Sequence, residues 1–183
     1  MTTQVRTFNL ALMGPSGVGK TAFVHRHLTG EFIKPYMATI GAEVHPLVFH
    51  TSKGPVRFNI FDCAGQAVLL GNGNEWWNHA DCAIVMSDYD KSTLEQIPYW
   101  MGKIPVGVPK VLCYNMLDLK NQVERRRQSV FRETAARYRA ENVEQFMISV
   151  KSCQNIEAPL LHLARALLQD PELQFIEPED VAE

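Results

Sequence analysis

Short apolar runs alternate along the chain with longer stretches of helical periodicity. The apolar runs predict six strands over 8–13, 44–51, 56–61, 82–86, 110–113 and 146–149. The other stretches predict helices over 20–28, 92–101, 128–140 and 157–168. The second of these helices begins with a Ser92 and Glu95 capping-box pattern. This alternation predicts an α/β fold built on a mostly parallel sheet with crossover helices.

One pair of strands departs from that alternation. The runs 44–51 and 56–61 are separated by the short polar segment 52–54, which ends in Gly54. So short a connection predicts a hairpin, because parallel strands need a longer crossover. We therefore expect a six-stranded, mostly parallel sheet with one antiparallel edge strand, flanked by about five helices.

Composition limits the domain count and the class of protein. A chain of 183 residues that is 46% hydrophobic is long enough for one domain, which we place at 1–183 with a core at 8–169 and a short acidic tail at 170–183. The net charge of −2 excludes bulk electrostatic binding, so we expect no direct nucleic-acid partner. The four cysteines form no CxxC pair, so we expect buried or partly buried free thiols.

The two ends of the chain guide the expected location. The first residues contain no apolar signal core, and the last four, DVAE, offer no cysteine for prenylation. We therefore expect a soluble intracellular monomer without a membrane anchor. Segment 120–141 has seven basic residues against three acidic, whereas 170–183 has six acidic residues and no basic one. Three interpretations stay open: the two segments attract each other, they bind separate partners, or both are simply exposed to solvent.

The strongest chemical signal is a phosphate-binding loop. Segment 14–21 reads GPSGVGKT and fits GxxxxGK[ST] between an apolar strand and a helix, as the mechanism requires. Its backbone N–H groups and the following helix dipole suit phosphate oxygens, its lysine suits the β and γ phosphates, and its threonine hydroxyl suits Mg²⁺. The residues expected to contact nucleotide are Gly14, Ser16, Gly17, Val18, Gly19, Lys20 and Thr21.

A second motif follows the strand at 56–61. The sequence continues DCAGQ, which places Asp62, Gly65 and Gln66 directly after that strand. In the context of a phosphate loop, Asp62 suits the Mg²⁺ shell, the Gly65 N–H suits a γ-phosphate, and Gln66 suits an attacking water. The pair of motifs predicts nucleoside triphosphate hydrolysis.

Two further turns contain the residues expected to recognise the base of the nucleotide. Asp118, with Asn115 three residues before it, follows the strand at 110–113, and a carboxylate there can accept both guanine N1–H and N2–H. Ser149, Val150 and Lys151 follow the next strand, where the Val150 N–H can donate to guanine O6 and the Lys151 stem can cover the base. Both turns lie at carboxyl ends of strands, where open α/β sheets bind ligands.

In this order, the phosphate loop, Thr39, DCAGQ, NxxD and SxK resemble the small GTPases, a P-loop family. Three runs are similar to the Ran subfamily: RHLTGEF at 26–32, EVHPLVFHT at 43–51 and LAR at 163–165. The resemblance extends from about residue 8 to 175. It implies that Thr39 binds Mg²⁺ and senses the γ-phosphate in switch I, that Phe32 flanks the guanine, and that Tyr36 lies over the phosphates.

The resemblance also implies a function. A Ran-like protein is a molecular switch that binds GTP or GDP with Mg²⁺, hydrolyses GTP slowly and controls partner binding in nucleocytoplasmic transport. Its catalytic residues here would be Gln66, Lys20 and Thr39. Its partners would be importin- and exportin-type receptors, an exchange factor and a GTPase-activating protein, and it would reside in nucleus and cytoplasm.

Several positions depart from the Ran pattern. Met116 replaces the lysine of the NKxD motif, so the hydrogen bond of a charged group is lost. Such a bond contributes about 1.5 to 3 kcal/mol, which corresponds to roughly 10- to 150-fold in nucleotide affinity. Segment 67–77 is the C-terminal part of the switch II region 62–77, and it lacks the arginines that Ran has there. Ser16 replaces a glycine, and the chain after 169 is too short for the long C-terminal helix.

Three other functions compete with this one. A scaffold that binds nucleotide poorly is favoured by Met116 and the altered switch II, but Thr21, Asp62 and Gln66 oppose it. A vesicle-trafficking GTPase is disfavoured, because it ordinarily requires a prenylated C-terminal cysteine and the last four residues offer none. An ATP-dependent kinase is disfavoured by Asp118 and the turn at 149–151.

Overall fold

The computed structural model describes residues 4–32, 42–63, 76–115 and 120–177. Its six strands are β1 Arg6–Met13, β2 Ala42–Phe49, β3 Val56–Cys63, β4 Cys82–Ser87, β5 Lys110–Tyr114 and β6 Glu144–Met147. They form one sheet in the order β2-β3-β1-β4-β5-β6. β2 is antiparallel to β3, and all the other described pairs are parallel. The prediction of a mostly parallel sheet with an antiparallel edge strand is confirmed.

Helices cover both faces of this sheet. Those described are α1 Lys20–Thr29, α2 Lys91–Leu94, α3 Ile97–Gly102, α4 Lys120–Ala140 and α5 Ala158–Leu168. A short 3-10 turn spans Trp76–His79. Because α2 and α3 are successive pieces of one interrupted stretch, the described chain has four helical units around the sheet.

Several predicted boundaries were wrong, including that of β2, which lies at Ala42–Phe49 and not at the predicted 44–51. The helix expected at 92–101 is broken into α2 and α3, because Pro98 in the first turn of α3 has no N–H to donate to the preceding turn. The N-cap of α2 is Asp90, whose side chain accepts from the Ser92 N–H at 3.0 Å, so the predicted capping box that begins at Ser92 does not form. α4 begins eight residues before the predicted start at 128, in a polar stretch without an apolar face. β6 lies two residues earlier than predicted.

The hydrophobic core consists of two layers, one on each face of the sheet. Alternate residues of β1 point to opposite faces, so Leu10 and Leu12 pack with α1 and α5, whereas Ala11 and Met13 pack with α3 and α4. Such two-sided burial explains why the central strands read as continuous apolar runs. Trp77 is only 8% exposed and belongs to the second layer. It is therefore a buried anchor for the 3-10 turn Trp76–His79.

Part of the segment suggested as an acidic tail packs on the core. Leu173 is fully buried, and Phe175 stacks on Phe49 of β2 with ring centroids 4.6 Å apart. The Ser52 N–H donates to the Gln174 carbonyl at 3.0 Å. Residues 173–176 thereby strap the β2–β3 hairpin to α5.

The cysteines agree only partly with expectation. Cys82 and Cys113 are buried free thiols, and burial raises the pKa of both well above the ordinary value. Cys153 is exposed, because it lies in the turn after β6 and not in an apolar strand. Among the described residues, no helix combines the length and apolarity that a bilayer span needs.

His27 gives the fold a pH dependence. Its Nδ1 lies 2.8 Å from the Phe23 carbonyl, so Nδ1 carries the proton, and the buried Nε2 has no hydrogen-bond partner among the described residues. Burial lowers the pKa of His27 below 6.5, against weaker raising effects of the Phe23 carbonyl and Glu157. The unfolded chain therefore binds the proton first as pH falls through about 6.5.

We predict that stability declines below this pH, by at most about 1.4 kcal/mol per pH unit from this group, and that His27→Leu removes that part of the slope. Urea unfolding between pH 5 and 7.5 measures it. An unchanged slope in the variant would assign the pH dependence to other groups.

Candidate functional site

The predicted site residues in the described chain gather at one edge of the sheet. β1, β3, β5 and β6 all end there, and each is followed by one of the sequence motifs. The phosphate loop leads from β1 into α1, Asp62 lies near the end of β3, Asn115 follows β5, and the turn at 149–154 follows β6. Parallel strands bring their carboxyl ends to the same edge, so motifs that are distant in sequence become neighbours.

Two glycines of the phosphate loop have no substitute. Gly14 has φ +139°, and a Cβ there would lie 2.0 Å from the Met86 carbonyl oxygen. Gly19 has φ +97°, and a Cβ there would lie 2.4 Å from the Asn115 amide nitrogen. The first glycine lets the loop pass over β4, and the second lets it touch Asn115.

The loop surrounds a buried cation. Lys20 is 6% exposed, and its ammonium donates to the carbonyls of Gly14 and Pro15 at 2.9 and 2.7 Å. α1 begins at this lysine with no acidic residue in its first turn, and Gly19 caps it without a side chain. The helix dipole and the ammonium together create positive potential where the loop predicts phosphate.

Asp62 is suited to a metal shell. The side chain is fully buried, and within the described part of the chain neither carboxylate oxygen makes a well-formed hydrogen bond. Burial raises the pKa of Asp62 above its ordinary value, and this rise is opposed by the Thr21 hydroxyl and the Lys20 ammonium. A buried carboxylate with unfilled acceptor capacity beside a threonine hydroxyl fits Mg²⁺.

An all-protein metal cage is not part of this arrangement. No three His, Cys, Asp or Glu side chains come together as potential ligands within the described ranges. Mg²⁺ commonly completes its shell with water and substrate phosphates, so the Thr21 and Asp62 pair fits a metal that binds together with a nucleotide.

Asn115 joins the phosphate loop to the turn after β6. It is 4% exposed, its amide nitrogen donates to the Val18 carbonyl at 2.9 Å, and its amide oxygen accepts from the Val150 N–H at 3.1 Å. We expected that N–H to serve guanine O6. The structure directs it to Asn115, so an O6 acceptor must share the donor or displace the amide oxygen.

The turn after β6 is a closed loop. Ser149 and Gln154 exchange two backbone hydrogen bonds at 3.0 Å each, and the Ser149 hydroxyl accepts from the Ser152 N–H at 3.2 Å. Ser149 and Val150 are buried, whereas Lys151 is exposed. The backbone at this turn is therefore held in place, and covering of a base by the Lys151 stem stays a prediction.

One contributor was missed by sequence reasoning. Arg26 stood out only as part of a run that resembles Ran, yet its guanidinium contacts the turn after β6 and the segment after α1. Its carbon Cζ lies 5.7 Å from the ring centroid of Phe32, the residue expected beside guanine. No local pattern could indicate these partners.

Other predicted residues lie outside the described ranges. They are Tyr36, Thr39, Gly65, Gln66, Met116 and Asp118. Their roles stay predictions.

Comparison with protein families agrees with this site. The model of the Ras family matches residues 9–169. The match begins within β1 and ends just after α5, so it contains the phosphate loop, Asp62, Asn115 and the turn after β6.

Proposed function

This chain belongs to the Ras family of small GTPases, and on that premise we propose that it is a Ran-like switch acting in nucleocytoplasmic transport. As members of the family do, it binds GTP or GDP with Mg²⁺ and hydrolyses GTP. The observation that carries the nucleotide-binding part of the proposal is the junction at Asn115, which hydrogen-bonds the phosphate loop to the turn after β6. Such a junction suits a ligand that has both phosphates and a base.

The phosphate end of the site provides electrostatic catalysis. Lys20 is already fixed at the centre of its loop by two carbonyls, so it needs little reorganisation to meet charge that develops on the γ-phosphate. Mg²⁺, when bound, would be held by Thr21, Thr39 and, through water, Asp62, and it supplies charge neutralisation at the phosphates.

Hydrolysis further requires a positioned water. We assign this to Gln66, by resemblance, and we expect turnover on the order of 10⁻⁴ per second because the chain offers no identifiable arginine finger. Gln66→Leu is expected to leave GTP affinity near that of the wild type and to slow hydrolysis by roughly tenfold, because misplacing a reactant is costly. Phosphate release under single-turnover conditions measures the hydrolysis rate of the wild type and of the variant. Equal rates would remove Gln66 from the mechanism.

The switch follows from contacts to the γ-phosphate. We propose that GTP draws the segments containing Thr39 and Gly65 together and so creates a partner surface, which hydrolysis releases. The partners would be importin- and exportin-type receptors, an exchange factor and a GTPase-activating protein, with the protein in nucleus and cytoplasm. Support comes from the Ran-like runs at 26–32, 43–51 and 163–165.

The transport role has its own test. Purified protein loaded with GTP or with GDP is passed over an immobilised importin-type receptor. The proposal expects retention of the GTP form and little of the GDP form. Failure of both forms to bind, while GTP is still hydrolysed, would leave a Ras-family GTPase with another role.

Met116 favours the alternative of a degenerate scaffold that competes for Ran partners. Asp62 opposes that alternative, because within the described ranges its buried carboxylate makes no well-formed hydrogen bond and suits a metal that binds with a nucleotide. We predict that Met116→Lys slows GDP release by about tenfold, the lower end for a charged hydrogen bond. Dissociation of fluorescent GDP measures the rate. A release rate that does not fall would show that Met116 does not weaken retention.

A further inference from the structure

Arg26 of α1 donates from all three of its guanidinium nitrogens to backbone carbonyls. Nε reaches the Val150 oxygen at 3.0 Å, Nη2 reaches the Lys151 oxygen at 2.7 Å, and Nη1 reaches the Gly30 oxygen at 2.7 Å. A charged donor that meets three carbonyls makes stronger bonds than neutral pairs do. The fork therefore binds two separate segments to α1 at once.

The carbonyls of Val150 and Lys151, which Arg26 contacts, determine the orientation of the peptide units in the turn after β6. In a planar trans peptide the N–H points opposite to the carbonyl of the same unit. With the Val150 carbonyl directed at Arg26, the Lys151 N–H must point to the far side. The next unit behaves likewise, since the Ser152 N–H donates to the Ser149 hydroxyl at 3.2 Å.

Asn115 orients the peptide unit before these two, between Ser149 and Val150. Its oxygen accepts the Val150 N–H, while Arg26 takes the carbonyls of Val150 and Lys151. Three successive peptide planes are thus oriented by two side chains from different elements. The N–H groups of these three units keep their directions only while both side chains hold.

The third carbonyl and the aromatic contact extend this control to the other side of the base. Gly30 ends α1, and Phe32 follows with its ring 5.7 Å from the guanidinium carbon. An arginine at that distance from a ring face gains a cation–π attraction. The same cation therefore holds both the turn after β6 and the aromatic residue expected beside guanine.

We infer that Arg26 is a positioning residue for guanine selectivity, acting through the turn after β6 on the side of the base that carries O6. The inference rests on the proposed function, because it assigns Arg26 a role within the same nucleotide site. Lysine cannot replace it, since one ammonium cannot serve a planar fork of three carbonyls. Glutamine retains polarity but loses the charge.

The test compares nucleotides that differ from GDP at the 2-position or at the 6-position of the purine. Competition against fluorescent GDP gives affinities of the wild type, Arg26→Lys and Arg26→Gln for GDP, inosine diphosphate and 2-aminopurine riboside diphosphate. Inosine keeps O6 and lacks the 2-amino group, whereas 2-aminopurine lacks O6 and the N1 proton. In both variants we expect GDP affinity to fall about tenfold, with the preference over 2-aminopurine shrinking in parallel and the preference over inosine unchanged.

Arg165→Gln is the matched control. Arg165 in the last turn of α5 also donates Nε to a backbone carbonyl, that of Leu173 at 2.9 Å, in the segment after α5 and not in the turn after β6. It should lower thermal stability without altering either preference. If both Arg26 variants lost affinity for all three nucleotides by the same factor, Arg26 would be merely structural. If the wild type itself showed no preference for GDP, the proposed function would fail, and the role of Arg26 in guanine selectivity would fail with it.

Discussion

Replacing Asn115 with alanine is expected to lower GDP affinity by about 1,000-fold. The change leaves the Val18 carbonyl and the Val150 N–H without their partners, at about 1 to 3 kcal/mol for each buried group. A total near 4 kcal/mol corresponds to that factor. In the free variant the two loops can separate so that both groups bind water, and the penalty then arises when nucleotide binding brings the loops back together. Titration with fluorescent GDP measures it.

Asn155→Ala is the control for that prediction. Its amide nitrogen also donates to a backbone carbonyl, that of Met147 at 3.2 Å, but the side chain is exposed. The variant should bind GDP like the wild type. A loss of less than tenfold for Asn115→Ala, or similar losses for the two variants, would contradict the bridging role of Asn115.

Asp62→Asn is expected to abolish most of the Mg²⁺ dependence of nucleotide binding. The carboxylate is buried with unfilled acceptors beside Thr21 and Lys20, and removing a residue that supports a metal shell typically costs 10- to 100-fold in metal affinity. Chelation of Mg²⁺ should therefore accelerate GDP release strongly in the wild type and little in the variant. Stopped-flow release with and without EDTA measures this.

The nucleotide-free protein should respond differently to the same change. The pKa of Asp62 is raised by burial, which means that the folded state disfavours its charge. Asp62→Asn should therefore leave the free protein at least as stable as the wild type. Asp81→Asn, at an exposed aspartate that accepts from the Asn9 N–H, should keep the full Mg²⁺ dependence. Full dependence in Asp62→Asn would exclude Asp62 from the metal shell.

The sheet could be predicted because its signal is local and repeated. Continuous apolar runs such as β4 are buried on both faces, and each is separated from the next by a helix or a turn. The break between α2 and α3 depends on Pro98, which a periodicity count does not weigh. The early start of α4 lies in a polar stretch, where periodicity carries no signal.

The site could be predicted as motifs but not as contacts. Residues within the phosphate loop are neighbours in sequence, so their chemistry can be deduced from spacing alone. Arg26 and Val150 are 124 residues apart, and Asn115 and Val150 are 35 apart. Only the fold brings these groups together, which is why sequence reasoning assigned the Val150 N–H to guanine and overlooked both Asn115 as its acceptor and Arg26.

The most direct test of the central claim is equilibrium binding of fluorescent GDP and GTP to the full chain, with and without Mg²⁺ and with ATP as competitor. A guanine-nucleotide switch predicts tight, Mg²⁺-dependent binding that excess ATP does not displace. Binding that is absent, or that ATP displaces as readily as GTP does, would contradict the account and favour a scaffold that has kept the fold without the ligand.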